Sequence, residues 1–497
     1  MPSLPNILWL LSDQHNPRVA GYAGDRRART QNLDRLAAGS VRFDAAYCNS
    51  PLCVPSRLSL LMSRYPYRCD AWTNTSMLLP EHVTLAEHLS AHGYTTALVG
   101  KMHLRGPRWM GGFQHRPYGD LDCRAFCFHQ PDPPETWDGR WLSHAVGRLP
   151  WAGVTEIPES LLADGVVVRE SLAFLLEHAD RYPARPWLLC AGFGRPHFPL
   201  TAPGRYVRRA LADPPPLPPR PEGYPKSLHP HDRFLVEEFR LASFSDAEQQ
   251  HALACYYASV NYLDDCIGEL LRGLESAGLL RNTYVIYTSD HGDMAGEQGL
   301  WWRRSYYEAS ARVPLLVAGP GISPGIVRAP VELVDLFPTF CDLAGSPTPD
   351  GLDGESLVPF LGGRPETRRK AFARSELLVD RAEVALRMAR LGRWKYVDFP
   401  KAPPRLFDLQ ADPNETRDLL RSETPASADA PIAELKELAT SGVSWREIGR
   451  IRARSRRRQP PPGERGTCGP VQYHLPDGHI VDADRFLYPG LVNERGG

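Results

Sequence analysis

The stretch NILWLLSDQ, residues 6–14, decides the fold, because a short apolar run ends abruptly at polar side chains. This pattern is typical of a buried strand that carries polar residues to one edge of a sheet. Four later apolar runs are similar, and three of them also end at polar residues. The four runs cover residues 95–99, 187–193, 284–288 and 313–318.

Helical periodicity fills the spaces between these predicted strands. It occurs at residues 31–38, 84–91, 161–179 and 246–276. Strands that alternate with helices over roughly 300 residues predict an α/β fold, in which helices sandwich one large, mostly parallel sheet. Ligands of such sheets bind beyond the carboxyl ends of the strands, and the polar residues lie at those ends.

Two parts of the chain break this alternation. Residues 201–230 are dense in proline and are predicted to form a long surface loop without regular structure. Residues 385–399 predict a hairpin, and a helix is expected near 432–439, which together indicate a small antiparallel sheet with a helix. We therefore predict a catalytic α/β domain at residues 1–375 and a smaller C-terminal α+β subdomain with a tail at residues 376–497.

Two polar stretches occur in the C-terminal part. The tract rich in Ser, Pro and Ala at residues 422–431 predicts an exposed connection. The run RARSRRRQPPP at residues 452–462 is predicted to be a solvated or disordered segment, and a binding role is the alternative.

The overall charge argues against polyanionic partners. Lys and Arg number 58 and Asp and Glu also number 58, so no net field attracts nucleic acid or an anionic membrane, and we predict neither as a partner. The sequence shows no secretory signal pattern and no apolar stretch approaching ~20 residues. Its ten cysteines include no CxxC pair. These features predict a cytoplasmic protein with reduced core thiols, and they leave homo-oligomerisation open.

The most specific local motif is CVPSR, residues 53–57. Pro55 suits the first turn of a helix, so Cys53 could simply be a buried cysteine before a helix. A helix N-terminus beside Arg57 would also form an electropositive pocket, which holds an anion or lowers the pKa of a thiol. The motif alone leaves both interpretations open.

A second group of residues could hold a metal ion. Asp13 and Gln14 follow the first predicted strand, and Asp290 and His291 follow the strand at residues 284–288. Carboxylate and amide oxygens together with an imidazole are suitable ligands for a divalent cation. The alternative is an ordinary turn after each strand.

Two further strand ends carry basic groups. Lys101 and His103 lie two residues apart and put a fixed positive charge and a titratable base on one side of the chain. His197 lies between two prolines after another predicted strand, so it is either functional or a rigid loop residue.

Taken together, these motifs resemble the type I sulfatase family of the alkaline phosphatase superfamily. The resemblance rests on CVPSR, GYTTALVGKMH, RPHFP and on NILWLLSDQ together with TSDHGDMAGEQGLW, and it covers most of residues 4–345. Within the family the motifs resemble those of choline sulfatases. The expected fold is therefore alkaline phosphatase-like.

The resemblance implies a modified nucleophile and a metal. A separate formylglycine-generating enzyme would oxidise Cys53, and the hydrated formylglycine would attack sulfur, with Arg57 and the metal holding it. Asp13, Gln14, Asp290, His291 and position 53 would bind one divalent metal. Ca²⁺ is favoured, and Mn²⁺ stays open because the family often has Asp and Asn where Gln14 and His291 stand.

The remaining roles also follow from the resemblance. Lys101 would bind the sulfate, and His103 would remove the proton whose loss expels sulfate. His197 would contact the sulfate or act as general acid toward the leaving group. A family lysine that binds sulfate is replaced by Arg303 or Arg304, and an arginine cannot donate a proton, so His197 would carry that task.

The resemblance to choline sulfatases suggests an aromatic cage for a cationic alcohol. Trp72 and Trp302 are the substrate-binding candidates, and packing is the alternative for both. Other residues that could contribute are Trp301, Tyr306, Tyr307 and Asp70.

The sequence therefore predicts a sulfuric ester hydrolase that cleaves a small sulfate monoester. One alternative is a phosphonate monoester or phosphodiester hydrolase of the same superfamily. Another is a non-catalytic binder of a sulfated ligand.

Overall fold

The computed structural model describes residues 4–104, 108–117, 120, 149–155, 157–364, 367–379, 381–421, 429–456, 472–474 and 480–482. The strands in these ranges are β1 (Asn6–Asp13), β2 (Val41–Phe43), β3 (Ala46–Tyr47), β4 (Thr95–Gly100), β5 (Gly153–Val154), β6 (Trp187–Pro196), β7 (Thr201–Ala202), β8 (Thr283–Ser289), β9 (Arg312–Val313), β10 (Leu315–Ala318), β11 (Gly325–Val327), β12 (Val331–Glu332), β13 (Phe372–Leu377), β14 (Leu386–Leu391), β15 (Trp394–Asp398), β16 (Arg405–Asp408), β17 (Gln472–His474) and β18 (Ile480–Asp482).

The helices of the same ranges are α1 (Gln31–Ala38), α2 (Cys53–Met62), α3 (Leu85–Ala91), α4 (Ala163–Arg181), α5 (Gly204–Ala212), α6 (Pro230–Glu238), α7 (Asp246–Ser276), α8 (Glu308–Ala311), α9 (Leu336–Ala344), α10 (Val358–Leu361), α11 (Ile432–Thr440) and α12 (Trp445–Arg456).

A large sheet with the order β11-β2-β10-β8-β1-β6-β4 forms the centre of the molecule. All of its strands are parallel except β10, which is antiparallel to both of its neighbours. β1 lies between β8 and β6, and Ile7 to Leu11 are completely buried. A continuous apolar strand is expected where both faces of a sheet are covered. The predicted α/β fold class is confirmed.

Alternate residues of β1 feed two separate cores. Leu8 and Leu10 pack into a core that includes apolar residues of α4 and α7. Trp9 and Leu11 pack into the core on the opposite face, which includes residues of α2, α3 and α9. The helices predicted at 31–38 and 246–276 are confirmed with those bounds, whereas the one predicted at 161–179 is shifted two residues along the chain.

The C-terminal part contains the predicted antiparallel sheet, in the order β13-β14-β15-β16. The predicted hairpin turns at Gly392, where φ is 55° and glycine is favoured. One face of this sheet joins the main core, and the other packs on α11 through Leu435. β13 begins at Phe372, so the strand spans the division at residue 375, which stays a prediction.

The expectation of an irregular loop at residues 201–230 is wrong in its first part. β7 and α5 occupy residues 201–202 and 204–212. The prolines cluster from residue 214 onward, whereas the α5 sequence GRYVRRALA contains none. Tyr206 and Val207 on this helix are buried in the main core, and this packing stabilises the helix.

Several sequence features fall partly outside the described residues. These are residues 422–428 of the predicted connection, residues 457–462 of the basic run, and Cys123, Cys127 and Cys468. The first part of the basic run is not an irregular segment, because residues 452–456 form the end of α12. The described cysteines are free and buried. In the described part of the chain, no helix combines the length and apolar character of a membrane span.

A buried ion pair joins the C-terminal sheet to the main domain. Lys395 on β15 is completely buried, and its Nζ lies 3.0 Å from Oε1 of Glu308 and 2.6 Å from Oε1 of Glu415. Glu308 begins α8, directly after the segment that carries Arg303. Glu308 also pairs with Arg312 at 3.2 Å and Arg390 at 3.7 Å, so Lys395 is the cation that the two carboxylates share.

Lys395→Met should strongly destabilise the protein, because buried Glu415 loses the cation that compensates its charge and Glu308 loses the nearest of its cations. We expect the free energy of unfolding to fall by about 3–5 kcal/mol, measured by urea denaturation. Lys401→Met is the control, since Lys401 pairs with Glu383 at the surface, and it should leave the urea midpoint close to that of the wild type. Equal, small effects of both substitutions would contradict this assignment.

Candidate active site

Five predicted site residues converge at one edge of the central sheet. Asp13 ends β1, Asp290 and His291 follow β8, Lys101 follows β4, and His197 follows β6; all five are buried. The carboxyl ends of adjacent parallel strands meet at the same sheet edge, which explains why residues so distant in sequence lie together.

Cys53 is the first residue of α2 and lies against this edge. One potential ligand atom from each of Asp13, Cys53, Asp290 and His291 lies within 4.8 Å of the others, and all four residues are buried. We call these four residues the central cluster. It contains two carboxylates, one imidazole and one thiol.

Arg57 joins the elements of the site. Its Nη2 donates to Oδ2 of Asp13 at 2.9 Å, and its Nε donates to Oδ2 of Asp290 at 2.8 Å. Its Nη1 donates to the backbone oxygen of Lys101 at 2.9 Å. Arg57 lies one helical turn after Cys53, so both side chains share one face of α2. This single guanidinium therefore holds three strand ends and the helix together.

Basic groups surround the carboxylate of Asp13. Lys101 Nζ lies 3.0 Å from its Oδ2, and His197 Nε2 lies 4.0 Å from its Oδ1. Burial raises the pKa of Asp13, but the charges of Lys101, His197 and Arg57 outweigh burial and hold the pKa well below its ordinary value. Asp13 is therefore anionic over the physiological pH range.

The central cluster fits a divalent cation. Oδ1 of Asp13 is buried and accepts no hydrogen bond from the described part of the chain, which is costly unless a cation satisfies it. Nδ1 of His291 donates to the oxygen of Gly292 at 2.9 Å, so Nε2 faces the cluster and lies 3.2 Å from Sγ of Cys53. Burial lowers the pKa of His291, but Asp290 and Cys53 together raise it to about 9, so metal binding would displace a proton.

The surroundings of Cys53 favour an anion. Burial alone raises the pKa of its thiol, but the charges of Arg303 and His291 more than offset burial, and the net pKa is lowered. The CVPSR motif assigned this effect to Arg57, whereas the groups that lower the pKa of the thiol are Arg303 and His291.

Arg303, and not Arg304, enters the site. Nη1 of Arg303 donates to Oε1 of Gln14 at 2.7 Å. Arg304 Nη1 instead lies 3.4 Å from Oε1 of Glu238, and its side chain is 34% exposed. Gln14 also donates its backbone N–H to Oδ1 of Asp290 at 3.1 Å, which links it to the central cluster.

The two remaining histidines lie on turns held by buried aspartates. The backbone N–H of His103, which is half-buried, donates to Oδ1 of Asp120 at 2.9 Å. The turn before His197 is fixed by Asp164, whose Oδ1 accepts the N–H of Gly194 at 2.8 Å. Nδ1 of His197 donates to the oxygen of Phe198 at 2.7 Å, which leaves Nε2 toward Asp13.

Trp302 is the aromatic candidate that lies beside the site. Its ring meets the ring of Phe198 edge to face at 5.5 Å, and the Phe198 ring packs on His197 at 3.9 Å. Cζ of Arg303 lies 5.4 Å from the centre of the same Phe198 ring.

The other aromatic candidates lie in different environments. Trp72 donates to Oγ of Ser455 at 2.8 Å and packs with Leu378 and Ile448, which is the environment of a packing residue. The hydroxyls of Tyr306 and Tyr307 donate to Oδ2 of Asp232 at 2.9 Å and 3.0 Å. The cation beside these tyrosines is the protein's own Arg405, 3.2 Å from the same carboxylate.

Asp293 and Ser56 are part of the site, although the sequence did not single them out. Nε2 of Gln14 donates to Oδ2 of Asp293, and Oγ of Ser56 donates to the backbone oxygen of Asp290 at 2.5 Å. Ser56 lies inside the CVPSR motif, and Asp293 lies three residues after Asp290. An acidic residue in a turn carries no periodic signal, so only its contacts reveal its position.

Comparison with protein families gives two matches. The family model described as Sulfatase matches residues 5–346. A second model, described as N-sulphoglucosamine sulphohydrolase, C-terminal, matches residues 296–440.

Individual relatives agree with these matches. The choline-sulfatase of Rhizobium meliloti (strain 1021) is 34% identical over 446 residues, covering 87% of this chain and 86% of the relative. Arylsulfatase K of Bos taurus is 29% identical over 462 residues, covering 87% of this chain and 82% of the relative. Among solved structures, the phosphonate monoester hydrolase SpPMH from Silicibacter pomeroyi matches with a TM-score of 0.72 and 25% identity, covering 91% of this chain and 96% of that chain.

Ca²⁺ or Mn²⁺ should raise the melting temperature of the protein, because a ligand that binds only the folded state stabilises that state. At a ligand concentration of 100 times the Kd, the stabilisation is about 2.7 kcal/mol. Asp13→Asn should remove most of this rise, because it neutralises a central carboxylate. Melting curves over a metal titration give the measurement.

Asp232→Asn is the control for this titration. Asp232 is another buried aspartate that pairs with an arginine, but it lies outside the central cluster. It should keep the metal-dependent rise. A wild-type titration curve for Asp13→Asn would disprove the assignment of Asp13 as a ligand.

Proposed function

The chain belongs to the sulfatase family and is a sulfuric ester hydrolase, and from this premise we propose that it cleaves a sulfate monoester with a nucleophile derived from Cys53. The observation that carries the proposal is the position of Cys53. Cys53 is the first residue of α2, and its Sγ lies within 4.8 Å of one ligand atom each from Asp13, Asp290 and His291. Burial raises the pKa of its thiol, but the charges of Arg303 and His291 outweigh burial and lower the pKa.

Two groups would complete this site. Asp13, Gln14, Asp290, His291 and position 53 would hold one divalent metal, with Ca²⁺ favoured over Mn²⁺ because three of the side chains offer oxygen ligands. Such a metal would lower the pKa of the nucleophile and stabilise developing negative charge. Formylglycine at position 53, once hydrated to a geminal diol, would supply the nucleophilic hydroxyl.

Lys101 and Arg303 would bind the sulfate group. Each carries a fixed positive charge at the border of the central cluster, close to Asp13 and Gln14 respectively. A planar guanidinium can donate two parallel hydrogen bonds to a tetrahedral anion, while an ammonium acts as a compact charge. Both would stabilise the negative charge that builds on the sulfate oxygens during reaction.

The histidines would move the protons. Nε2 of His197 points toward the cluster because Nδ1 is bound to the oxygen of Phe198, so it is the group placed to protonate the leaving alcohol oxygen. Arg303 cannot give up a proton and so cannot share this task. His103, on the turn after Lys101, would take the proton of the free hydroxyl at position 53. The aldehyde would then form again as the bond from carbon 53 to the esterified oxygen breaks and sulfate leaves.

We also propose how the protein matures and where it is located. A formylglycine-generating enzyme would act on Cys53, and the free, buried cysteines of the described residues suit a reducing cytoplasm. Protein made together with such an enzyme should give a peptide carrying formylglycine at position 53 in mass spectrometry. A peptide with cysteine alone would overturn the mechanism.

A second candidate is a phosphonate monoester hydrolase. The likeness to the hydrolase of Silicibacter pomeroyi supports it, since that structure covers nearly the whole chain. Initial rates on an aryl sulfate, choline sulfate and an aryl phosphonate monoester separate the candidates. A kcat/KM higher for the phosphonate than for either sulfate would favour this alternative, and turnover of any of them excludes a non-catalytic binder.

Cys53→Ala should abolish turnover of sulfate esters and leave the fold intact, because it removes the nucleophile and creates no unpaired charge. Steady-state kinetics and the circular dichroism spectrum measure the two effects. Turnover at the wild-type rate would show that residue 53 is not the nucleophile.

Arg303→Gln should lower kcat/KM for a sulfate ester by roughly 10- to 100-fold, because a hydrogen bond from a charged group is worth about 1.5–3 kcal/mol. Arg304→Gln is the matched control and should leave kcat/KM unchanged, since its guanidinium binds Glu238 outside the site. Equal losses in both variants would contradict the assignment of Arg303.

A further inference from the structure

We propose that Asp293 is a positioning residue that fixes the amide of Gln14 and, through it, the guanidinium of Arg303. The inference rests on the proposed function, because Gln14 is there a metal ligand and Arg303 a sulfate-binding group. Asp293 itself would touch neither the metal nor the substrate.

Asp293 closes the loop that carries Arg303. Its Oδ1 accepts the backbone N–H of Ala295 at 2.7 Å and that of Trp302 at 3.1 Å. The N–H of Met294 also donates to the oxygen of Trp302 at 2.7 Å. Trp302 has a φ of 71°, a left-handed conformation that a bulky residue adopts only under constraint. The carboxylate thus fixes the backbone directly before Arg303.

The other carboxylate oxygen orients Gln14. Oδ2 of Asp293 accepts a hydrogen bond from Nε2 of Gln14, and Oε1 of Gln14 accepts one from Nη1 of Arg303 at 2.7 Å. A carboxylate only accepts hydrogen bonds and a guanidinium only donates them. Only one orientation of the Gln14 amide satisfies both neighbours, with its oxygen toward Arg303.

The backbone of Gln14 is held separately from its side chain. Its N–H donates to Oδ1 of Asp290 at 3.1 Å, and its carbonyl oxygen accepts from the hydroxyl of Tyr256 at 2.8 Å. A change at Asp293 should therefore reorient the amide of Gln14 without moving the end of β1.

Asp293→Asn tests this arrangement with little change in shape. The asparagine oxygen can still accept the two backbone hydrogen bonds. The new NH₂ group, however, faces Nε2 of Gln14, and two hydrogen-bond donors cannot bind each other. The Gln14 amide should turn over and present its NH₂ group to Arg303, which then loses its acceptor. We expect the midpoints of both a Ca²⁺ titration and an inorganic sulfate titration, read from melting temperature, to rise at least roughly tenfold.

Asp264→Asn is the matched control. Asp264 is also completely buried, and it accepts two backbone N–H groups, from Asn32 and Leu33, and one side-chain amide, from Asn32. It lies on α7 and holds the start of α1, away from the central cluster. This variant should lower the melting temperature but leave both titration midpoints at their wild-type values.

A double substitution tests the chemistry of the contact. Adding Gln14→Glu to Asp293→Asn provides one oxygen that accepts from the asparagine amide and a second that accepts from Arg303. The sulfate midpoint should return close to the wild-type value. In an Arg303→Gln background, by contrast, Asp293→Asn should not shift the sulfate midpoint further, because the two changes remove one shared interaction.

The outcomes distinguish this inference from the proposed function. If the wild type binds neither Ca²⁺, Mn²⁺ nor sulfate and turns over no ester, the proposed function fails and the positioning role fails with it. If the wild type binds and turns over substrate while Asp293→Asn behaves like Asp264→Asn, only the positioning role is overturned. A sulfate midpoint that Gln14→Glu does not restore also contradicts it.

Discussion

Two carboxylates, those of Asp13 and Asp290, are buried together at the ends of the adjacent strands β1 and β8, and the guanidinium of Arg57 bridges them. Buried charges are stable only when they are paired and hydrogen-bonded. Lys101 at the end of β4 supplies one cation to Asp13, and the two carboxylates share a second one from outside the sheet. α2 supplies it, and its first turn must therefore lie across the sheet edge. Cys53 reaches the same place because it lies one turn before Arg57 on that helix.

The site consists of buried anionic side chains that are surrounded by cationic ones. Asp13 and Asp290 lie at the centre, and Arg57, Lys101 and Arg303 approach from three different elements. Such an arrangement suits a metal at the centre and the singly charged sulfate group of a monoester at the border, where the fixed positive charges are already in position. The fixed charges are supplied by the fold before any ligand arrives.

The C-terminal sheet supports the segment that carries Arg303. Lys395 neutralises Glu308, and the backbone N–H of Glu308 donates to Oε2 of Glu415 at 2.7 Å. Arg405 lies beside Tyr306 and Tyr307 and near Asp232, where it occupies the position of a cation among aromatic rings. The smaller sheet therefore takes part in shaping the site although its residues are distant from Cys53 in sequence.

The sequence predicts much of the fold and most of the site residues. Hydrophobic runs that end at polar residues located the strands, and the period of 3.6 located α1 and α7, because burial of one or both faces imposes these patterns. Motifs identified Cys53, Asp13, Asp290, Lys101 and His197 as site candidates, and all of them lie at the same sheet edge. α5 was missed because a nearby cluster of prolines obscured a short helix that tertiary packing stabilises.

The tertiary structure alone decided which of several equivalent residues enters the site. Arg303 and Arg304 are identical in type and adjacent in sequence, yet Arg303 binds Gln14 whereas Arg304 pairs with Glu238. The backbone is left-handed on both sides of Arg303, at Trp302 and at Arg304, and this conformation turns the two side chains in different directions. Trp72 and Trp302 were equal candidates, yet Trp72 packs against α12, whereas Trp302 packs on Phe198, the residue after His197. The sequence by itself determined which residue types form the site and at which strand ends they lie. Which of two adjacent residues enters the site depends on long-range hydrogen bonds, and these produce no periodic pattern in the sequence.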